Sequence, residues 1–351
     1  MLTDELEAAT QHQGRARVAL SAALASGPSH AYLFRGPRGA GKRAAARAFA
    51  AEILATGAED PDDARRRALL DPSPHPDFVW LAPRGAQHLV EEVRERVIRA
   101  SAYRPFEGGK RVFVVESAEA MRDESQNALL KTLEEPPAYV HLILLSSEPE
   151  ILLETVVSRC QPVDFAPLPT GVVEAELADA GSPDQVAAAA RLSAGDPARA
   201  RYLLSDSGQT LRNARWRQLL EIAGAAGEDA EAATRAALEE EAKAGLKRSA
   251  RDVADESKRA GRRRRTEILD LGLELRAAWL RDLAAVGVGA EEVVFNRDRL
   301  EELRSQAAGV DPGCARRAAE AVQETRRGLD LNVSEELALE ALFFRVERLL
   351  G

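Results

Sequence analysis

The chain has 351 residues, a formal net charge of −9 and 45% hydrophobic residues. This length favours two or three domains over a single compact core. The net negative charge excludes a protein that binds nucleic acid through its overall electrostatics, so any DNA contact must be local or shared with partners. The only cysteines, Cys160 and Cys314, lie far apart, which fits a reducing compartment. Because the chain has no run of 18 apolar residues and no apolar signal core near Met1, we expect a cytoplasmic protein.

The first half of the chain alternates apolar strands with helical segments. Five short apolar stretches are predicted strands: 30–34, 78–81, 111–115, 139–145 and 162–165. Helical spacing of apolar residues marks the segments 42–54, 89–102 and 125–133. Strands that are apolar throughout are typical of a parallel sheet covered by helices on both faces. We therefore predict a doubly wound α/β domain over residues 1–168.

Alanine-rich helical segments replace the strands after residue 168. Residues 169–206 are predicted to form a small helical lid, with Ser182 and Asp196 as candidate N-caps. Residues 207–351 are predicted to form a third, all-helical domain.

A charged stretch inside this third region, residues 231–265, has few large apolar side chains. We interpret it as one long, poorly buried helix or a partly mobile arm. Its run of four arginines, Arg262 to Arg265, is more typical of a solvated helix face than of a DNA-binding patch.

Residues 36–43 (GPRGAGKR) match the phosphate-loop pattern G-x-x-x-x-G-K-[ST] at every position except the last. The segment follows a predicted strand and precedes a predicted helix, as the motif requires. Its glycines, Gly36, Gly39 and Gly41, let backbone N–H groups cradle phosphates, and Lys42 can reach the outer phosphates. Arg43 stands where a serine or threonine would bind Mg²⁺. The pattern thus predicts a degenerate site for ATP or ADP; whether nucleotide binds is left open, and Mg²⁺ is expected only together with nucleotide.

The residues after the third predicted strand depart from a hydrolytic pattern as well. Phosphoryl-transfer enzymes use acidic side chains to hold Mg²⁺ and to activate the attacking group, but this strand ends in Glu116 and Ser117. A serine is no base for water at neutral pH. Glu119 is the nearest substitute, although a carboxylate at a helix start is more typical of a solvated charge. Ser147, which follows the fourth strand, is predicted to face the outermost phosphate, and we expect little or no intrinsic ATP hydrolysis.

Two further arginines are candidate site residues. Arg159 follows a helical run and precedes the last strand, so we expect it to project outward. There its guanidinium could stabilise a phosphoryl group held by a neighbouring subunit. The alternative is a surface arginine in an intramolecular ion pair. Arg199, at the start of a predicted lid helix, is either a nucleotide contact or a solvated arginine. Cys160 is predicted to be a small core residue.

Together, these motifs resemble the bacterial clamp-loader ATPases of the AAA+ class, which belong to the DNA polymerase III system. The resemblance rests on residues 29–37 (SHAYLFRGP), 127–137 (NALLKTLEEPP) and 158–160 (SRC). Residues 329–342, with Asn332 and Val333, resemble the last helices of the family's collar. The resemblance implies an AAA+ domain, a lid and a collar through which five subunits assemble.

The family opens a ring-shaped sliding clamp and places it on primed DNA, so the implied partners are gamma/tau and delta subunits, the clamp and DNA. The departures at Arg43, Glu116 and Ser117 favour a non-hydrolysing subunit, whose contribution to catalysis is Arg159 acting in trans on a neighbour's ATP. The alternatives are a gamma/tau-like motor, another AAA+ DNA motor such as a branch-migration helicase, or an assembly protein with an empty site.

One family feature is missing from this sequence. Relatives place four zinc-binding cysteines before the segment that here is His75-Pro76-Asp77, but residues 55–74 contain no cysteine. We therefore predict that the protein holds no zinc.

Overall fold

A computed structural model describes residues 3–83, 87–243, 250–329 and 334–351. The chain forms two compact units, Met1–Leu168 and Pro169–Gly351. The further division of the second half at residue 206 stays a prediction. The predicted collar residues Asn332 and Val333 lie outside the described residues.

The first unit is built on a parallel sheet of five strands in the order β2-β3-β4-β1-β5. The strands are β1 Ala31–Arg35, β2 Phe78–Leu81, β3 Arg111–Val115, β4 Val140–Ser146 and β5 Gln161–Asp164. Each pairs in parallel with its neighbours, for example Phe34 with Leu145 in β4 and with Val163 in β5. The predicted doubly wound α/β class is confirmed.

Helices cover both faces of this sheet. They are α1 Asp4–Ala9, α2 Gly14–Ser26, α3 Lys42–Ala55, α4 Pro61–Leu69, α5 Val90–Val93, α6 Asp123–Glu134 and α7 Glu154–Val157. Because side chains alternate along a strand, Phe34 packs with Phe49 of α3 on one face, while Leu33 packs in a second cluster with Leu129 of α6. Both clusters are buried, which explains why the strands are apolar throughout.

The predicted helix over residues 89–102 is confirmed as a continuous helix over residues 90–101. Its regular α-helical start, α5, continues as a π-helix, Arg94–Arg99, which the prediction did not include. Val93 and Val97 are buried in the same cluster, with Ile98 packed against it. A five-residue step from Val93 to Ile98 suits the wider π-helical turn, and spacing alone does not separate the two helix types over such a short run.

The second unit is helical throughout its described residues. Its α-helices are α8 Thr170–Glu176, α9 Pro183–Leu192, α10 Pro197–Leu204, α11 Asp206–Asn213, α12 Trp216–Lys243, α13 Ala250–Gly287, α14 Leu300–Ala307, α15 Pro312–Leu329 and α16 Glu335–Leu350. Both predicted N-caps are confirmed: Ser182 forms a capping box with Gln185, and Asp196 accepts from the first-turn amides of α10. None of the helices in the described ranges is long and apolar enough to cross a membrane.

The charged stretch 231–265 is not one helix, because its residues fall on both α12 and α13. The two helices run antiparallel: Gly227 lies against Gly261, and Leu219 lies against Gly272 further along. A Cβ added to Gly227 would lie 2.9 Å from the carbonyl oxygen of Gly261, so this close approach requires glycine. Composition alone did not predict this close approach of the two helices.

Candidate functional site

The phosphate-loop motif forms the predicted strand–loop–helix turn between β1 and α3. Gly36 has φ +148°, and a Cβ there would lie 2.1 Å from the carbonyl oxygen of Phe165. Gly41 is left-handed, with φ +88°, directly before α3. Gln13 supports the loop by donating to the carbonyl oxygen of Ala40 at 3.0 Å. The amino end of α3 therefore presents its unpaired N–H groups beside the loop, which suits an anion.

Lys42 lies where the motif places it, and its side chain is turned onto the loop. Its Nζ donates to the carbonyl oxygens of Gly36 and Pro37, the latter at 2.8 Å, and to the Ser147 Oγ at 3.2 Å. Lys42 is only 8% exposed. The structure thus places Ser147 beside Lys42, because β1 and β4 are neighbours and end at the same edge of the sheet.

Arg43 and Glu116, the two departures from a magnesium site, contact each other. The Arg43 Nε lies 3.4 Å from the Glu116 Oε1, and the Trp80 Nε1 donates to the other carboxylate oxygen at 3.0 Å. A cationic side chain therefore occupies the position from which the motif's hydroxyl would bind Mg²⁺, and it neutralises the nearest carboxylate. These residues do not fit a magnesium ion, since a guanidinium repels the metal and supplies no oxygen ligand.

Three residues that sequence reasoning missed extend this pair into a network. The Arg47 guanidinium lies 4.7 Å from the centre of the Trp80 ring, and its Nη2 is 3.0 Å from the Asp71 carboxylate. Arg43 stacks over the same ring at 5.6 Å. Trp80 reaches Glu116 because β2 lies beside β3 in the sheet. That adjacency is not visible in the sequence, so no signal pointed to Trp80.

The segment after β3 contains two more residues that the sequence analysis considered, Ser117 and Glu119. Ser117 has a left-handed backbone, with φ +50° and ψ +58°. Glu119 is half-buried, and its Oε1 accepts a hydrogen bond from the Ser147 amide at 3.2 Å. The expectation of a solvated charge at Glu119 is therefore wrong, because the carboxylate links this segment to the end of β4.

Arg159 lies at the opposite edge of the sheet from the phosphate loop. It precedes β5, whose first residue Gln161 is in register with Tyr32, whereas the loop begins at Gly36 after β1 has ended. At ~3.3 Å per residue, roughly 13 Å of strand separates the two ends. Arg159 is therefore badly placed to serve a nucleotide in its own chain.

The Arg159 guanidinium forms an intramolecular ion pair, which the sequence analysis gave as the alternative to a role in trans. Its Nη2 lies 2.6 Å from the Glu134 Oε1, and its Nη1 donates to the Thr155 carbonyl oxygen at 2.8 Å. The side chain is 34% exposed. Such exposed pairs contribute ~0–1 kcal/mol, so a phosphoryl group could replace Glu134 at little cost. The neighbouring Cys160 is buried as predicted, and burial raises the pKa of its thiol to about 12.

Arg199 and three arginines of the run Arg262 to Arg265 form ion pairs within the second unit. The Arg199 Nη2 lies 2.9 Å from the Glu274 carboxylate. Its predicted contact with nucleotide stays a prediction. In the arginine run, Arg263 and Arg264 pair with Glu267, and Arg265 pairs with Glu335. These ion pairs fit the solvated-face interpretation of the run.

Ion pairs also hold residues 55–74, the segment for which the resemblance implies zinc-binding cysteines. Asp60 caps α4, Arg65 pairs with Glu52 of α3 at 2.8 Å, and Arg67 pairs with Glu107. In the described ranges no three Cys, His, Asp or Glu side chains are grouped to share a metal ion. The expectation that the protein lacks zinc stays a prediction.

Comparison with known proteins supports the resemblance over the first half of the chain. Residues 13–169 match the family model described as DNA polymerase III, delta subunit. The chain is 37% identical over 199 residues to DNA polymerase III subunit delta' of Pseudomonas aeruginosa, covering 53% of this chain and 58% of that protein. It is 32% identical over 154 residues to subunit delta' of Bacillus subtilis, covering 42% and 46%. The predicted similarity to DNA polymerase III clamp-loader subunits is confirmed for this part of the chain.

A gamma/tau subunit is also similar to part of the chain. The chain is 36% identical over 167 residues to subunit gamma/tau of Mycobacterium bovis, covering 45% of this chain and 28% of that protein. The chain spans about half the length of the delta' relatives described above. Overall similarity therefore does not separate delta' from gamma/tau subunits, and the distinction rests on the chemistry at Arg43, Glu116 and Ser117.

Proposed function

We propose that this chain is a delta'-type subunit of a bacterial DNA polymerase III clamp loader that does not hydrolyse ATP itself. The observation that carries the proposal is the ion pair between Arg43 and Glu116. It puts a positive charge where the motif's metal ion would bind, and it neutralises the Glu116 carboxylate, which directly follows β3. The residue after it, Ser117, cannot activate water. A loop with intact backbone geometry thus lacks both the metal site and the base that hydrolysis needs.

The proposed contribution to catalysis is Arg159, supplied to the ATP of an adjacent motor subunit. Its position at the far edge of the sheet from its own loop supports a role in trans. A guanidinium offered in this way stabilises charge on the transferring phosphoryl group and is worth ~10³–10⁵ in rate. The proposed partners are gamma/tau and delta subunits, the sliding clamp and primed DNA, in the cytoplasm. Any ATP or ADP in the loop would be held by Lys42 and the backbone, without a magnesium ion at Arg43.

A second candidate is an assembly protein in which Arg159 serves no catalysis. The ion pair between Arg159 and Glu134 favours it, because the guanidinium already has a partner within the chain. The low stability of such an exposed pair makes this the weaker candidate.

The proposal of a silent site is tested by ATP turnover of the purified full chain. We expect turnover at the background of a Lys42→Ala variant, with and without primed DNA. Turnover of ~1 s⁻¹, an ordinary enzyme rate, that disappears in Lys42→Ala would show an active motor and overturn the proposal.

A further inference from the structure

A cavity of about 550 Å³ lies within the second unit, apart from every residue of the phosphate loop. Pockets of about 300–1,000 Å³ are the usual size for small ligands. Five arginines and three glutamates line it, which gives the lining a formal net charge of +2. The arginines come from α9, α10, α13 and α15. A cavity with this excess of guanidinium groups favours an anionic ligand.

The three glutamates of the lining are already neutralised. Glu274 contacts Arg199 at 2.9 Å and Arg326 at 3.2 Å. Glu320 pairs with Arg316, and Glu324 pairs with Arg345. Of the other lining cations, Arg281 pairs with Asp282 at 2.8 Å, which leaves Arg191 and Arg327 uncompensated.

Arg191 and Arg327 carry that uncompensated charge. Across the described part of the chain, neither forms an ion pair with a carboxylate. The Arg191 Nη1 instead donates to the backbone carbonyl oxygens of Glu292 and Val294, at 3.2 and 2.8 Å. Their charge is available to an anion in the cavity.

The part of the lining that contains Arg281 and Phe295 is held in place before any ligand arrives. The buried Asp282 carboxylate accepts from the backbone amides of Phe295 at 3.0 Å and Asn296 at 2.8 Å. Buried Arg212 donates to the Asn296 side chain at 3.0 Å. The Arg281 guanidinium carbon lies 3.3 Å from the centre of the Phe295 ring, so both lining side chains are stacked. A preorganised wall reduces the entropy that binding would cost.

One donor in the lining lacks a partner among the described residues. The Arg199 Nε is buried and makes no hydrogen bond to them, although the same guanidinium contacts Glu274 through Nη2. Buried donors without acceptors are rare, and they point to a missing partner.

We propose that this cavity binds a small phosphorylated molecule of about nucleotide size. A phosphate ester carries ≈ −1.5 to −2 charge, which balances the lining, and its oxygens match the forked donors of arginine. The apolar surfaces of Leu275 and Phe295 would hold the rest of the ligand. A monocarboxylate would leave part of the positive charge unbalanced.

Radiolabelled ATP with EDTA is a suitable probe, measured by equilibrium dialysis on the full chain carrying Lys42→Ala, which removes the lysine of the phosphate loop. We expect saturable binding that persists in this background and is displaced by pyrophosphate but not by adenosine. Adding Arg191→Ala and Arg327→Ala, which remove the two uncompensated charges, should weaken it at least tenfold. Arg317→Ala, on the same helix as Arg327 but outside the cavity lining, is the matched control and should bind normally.

Four outcomes would overturn the proposal. They are no saturable binding at millimolar ATP, loss of binding through Lys42→Ala alone, displacement by adenosine but not pyrophosphate, or equal binding by the double arginine variant and the control. Unfolding curves of each variant show whether a loss reflects folding. None of these outcomes bears on Arg159 or on ATP turnover, so failure here leaves the proposed clamp-loader function untouched.

Discussion

The two units of the chain use charge in opposite ways. At the carboxyl edge of the sheet in the first unit, Arg43 and Glu116 neutralise each other where a metal ion would bind. In the second unit, arginines outnumber glutamates around a cavity. The same type of side chain therefore cancels charge where a carboxylate faces it and leaves an excess of charge where none does. One guanidinium is enough to fill the metal position, while the glycines and Lys42 keep the geometry of the loop.

The resemblance to clamp-loader subunits implies that the second unit carries the assembly surface, and the largest expected effect tests that implication. Leu337 and Phe344 are 66% and 67% exposed and lie two turns apart on one face of α16. Changing both to Asp should abolish co-elution with the other clamp-loader subunits, because an interface would have to bury two unpaired charges.

Glu347→Ala, on the same helix and ~70° around its axis from the middle of that face, is the control and should assemble normally. Full assembly of the Leu337→Asp/Phe344→Asp variant would show that another surface joins the subunits.

A smaller effect is expected from a substitution that lowers the stability of the second unit and not of the first. Buried Arg212 forms two hydrogen bonds of 2.8 Å with Asp298 in the second unit. Asp298→Ala leaves that guanidinium unpaired and should lower the free energy of unfolding by ~3–5 kcal/mol. Hydrogen exchange of the full chain should show the loss of protection in α11 and α13 and not in the β-strands.

The exposed pair between Arg304 and Glu301 supplies a matched control for that experiment. Glu301→Ala should leave exchange in both units unchanged. Equal effects of the two substitutions would mean that burial does not set the contribution of the Arg212 pair.

The sequence predicted the parts of the fold that depend on local patterns. Apolar strands, the phosphate loop and the caps at Ser182 and Asp196 are each encoded within a few neighbouring residues. The contact of Trp80 with Glu116 depends instead on which strands are neighbours, and the pair of Gly227 and Gly261 depends on how two helices cross. Residues distant in sequence set both, so periodicity could not predict them.

The candidate site likewise combines features that local sequence patterns predict with contacts that depend on residues distant in sequence. Lys42 and Ser147 lie side by side because a parallel sheet brings the carboxyl ends of its strands to one edge, and the phosphate contacts predicted for them stay predictions. That Arg43 would contact Glu116, and that Glu119 would bond the Ser147 amide, could not be predicted. Such contacts depend on side-chain rotamers, which the motif does not encode.

The smallest expected effect is a difference in acid sensitivity. All five histidines belong to the first unit, and burial lowers the pKa of His75, His88 and His141. The unfolded chain therefore takes up protons first as pH falls below about 6.5. The stability of the first unit should be full above that pH and decrease as pH falls toward the lowered values in the folded state.

Hydrogen exchange between pH 7.5 and 5, corrected for intrinsic rates, checks this difference within one sample. Protection in β1 and β4 should decrease while protection in α13 and α15 holds. Equal losses in both units would show that groups other than the buried histidines control the acid response.

In the proposed function, a chain without ATPase activity of its own acts through Arg159 in trans. The most direct measurement is DNA-stimulated ATP turnover and clamp loading by a reconstituted loader that contains Arg159→Ala. We expect normal assembly but a large loss of both activities, with incomplete rescue by Arg159→Lys, which lacks the forked guanidinium. Glu134→Gln, which removes only the charge that holds Arg159, should retain both activities. Clamp loading by Arg159→Ala at the wild-type rate, or a defect explained by lost assembly, would contradict the claim.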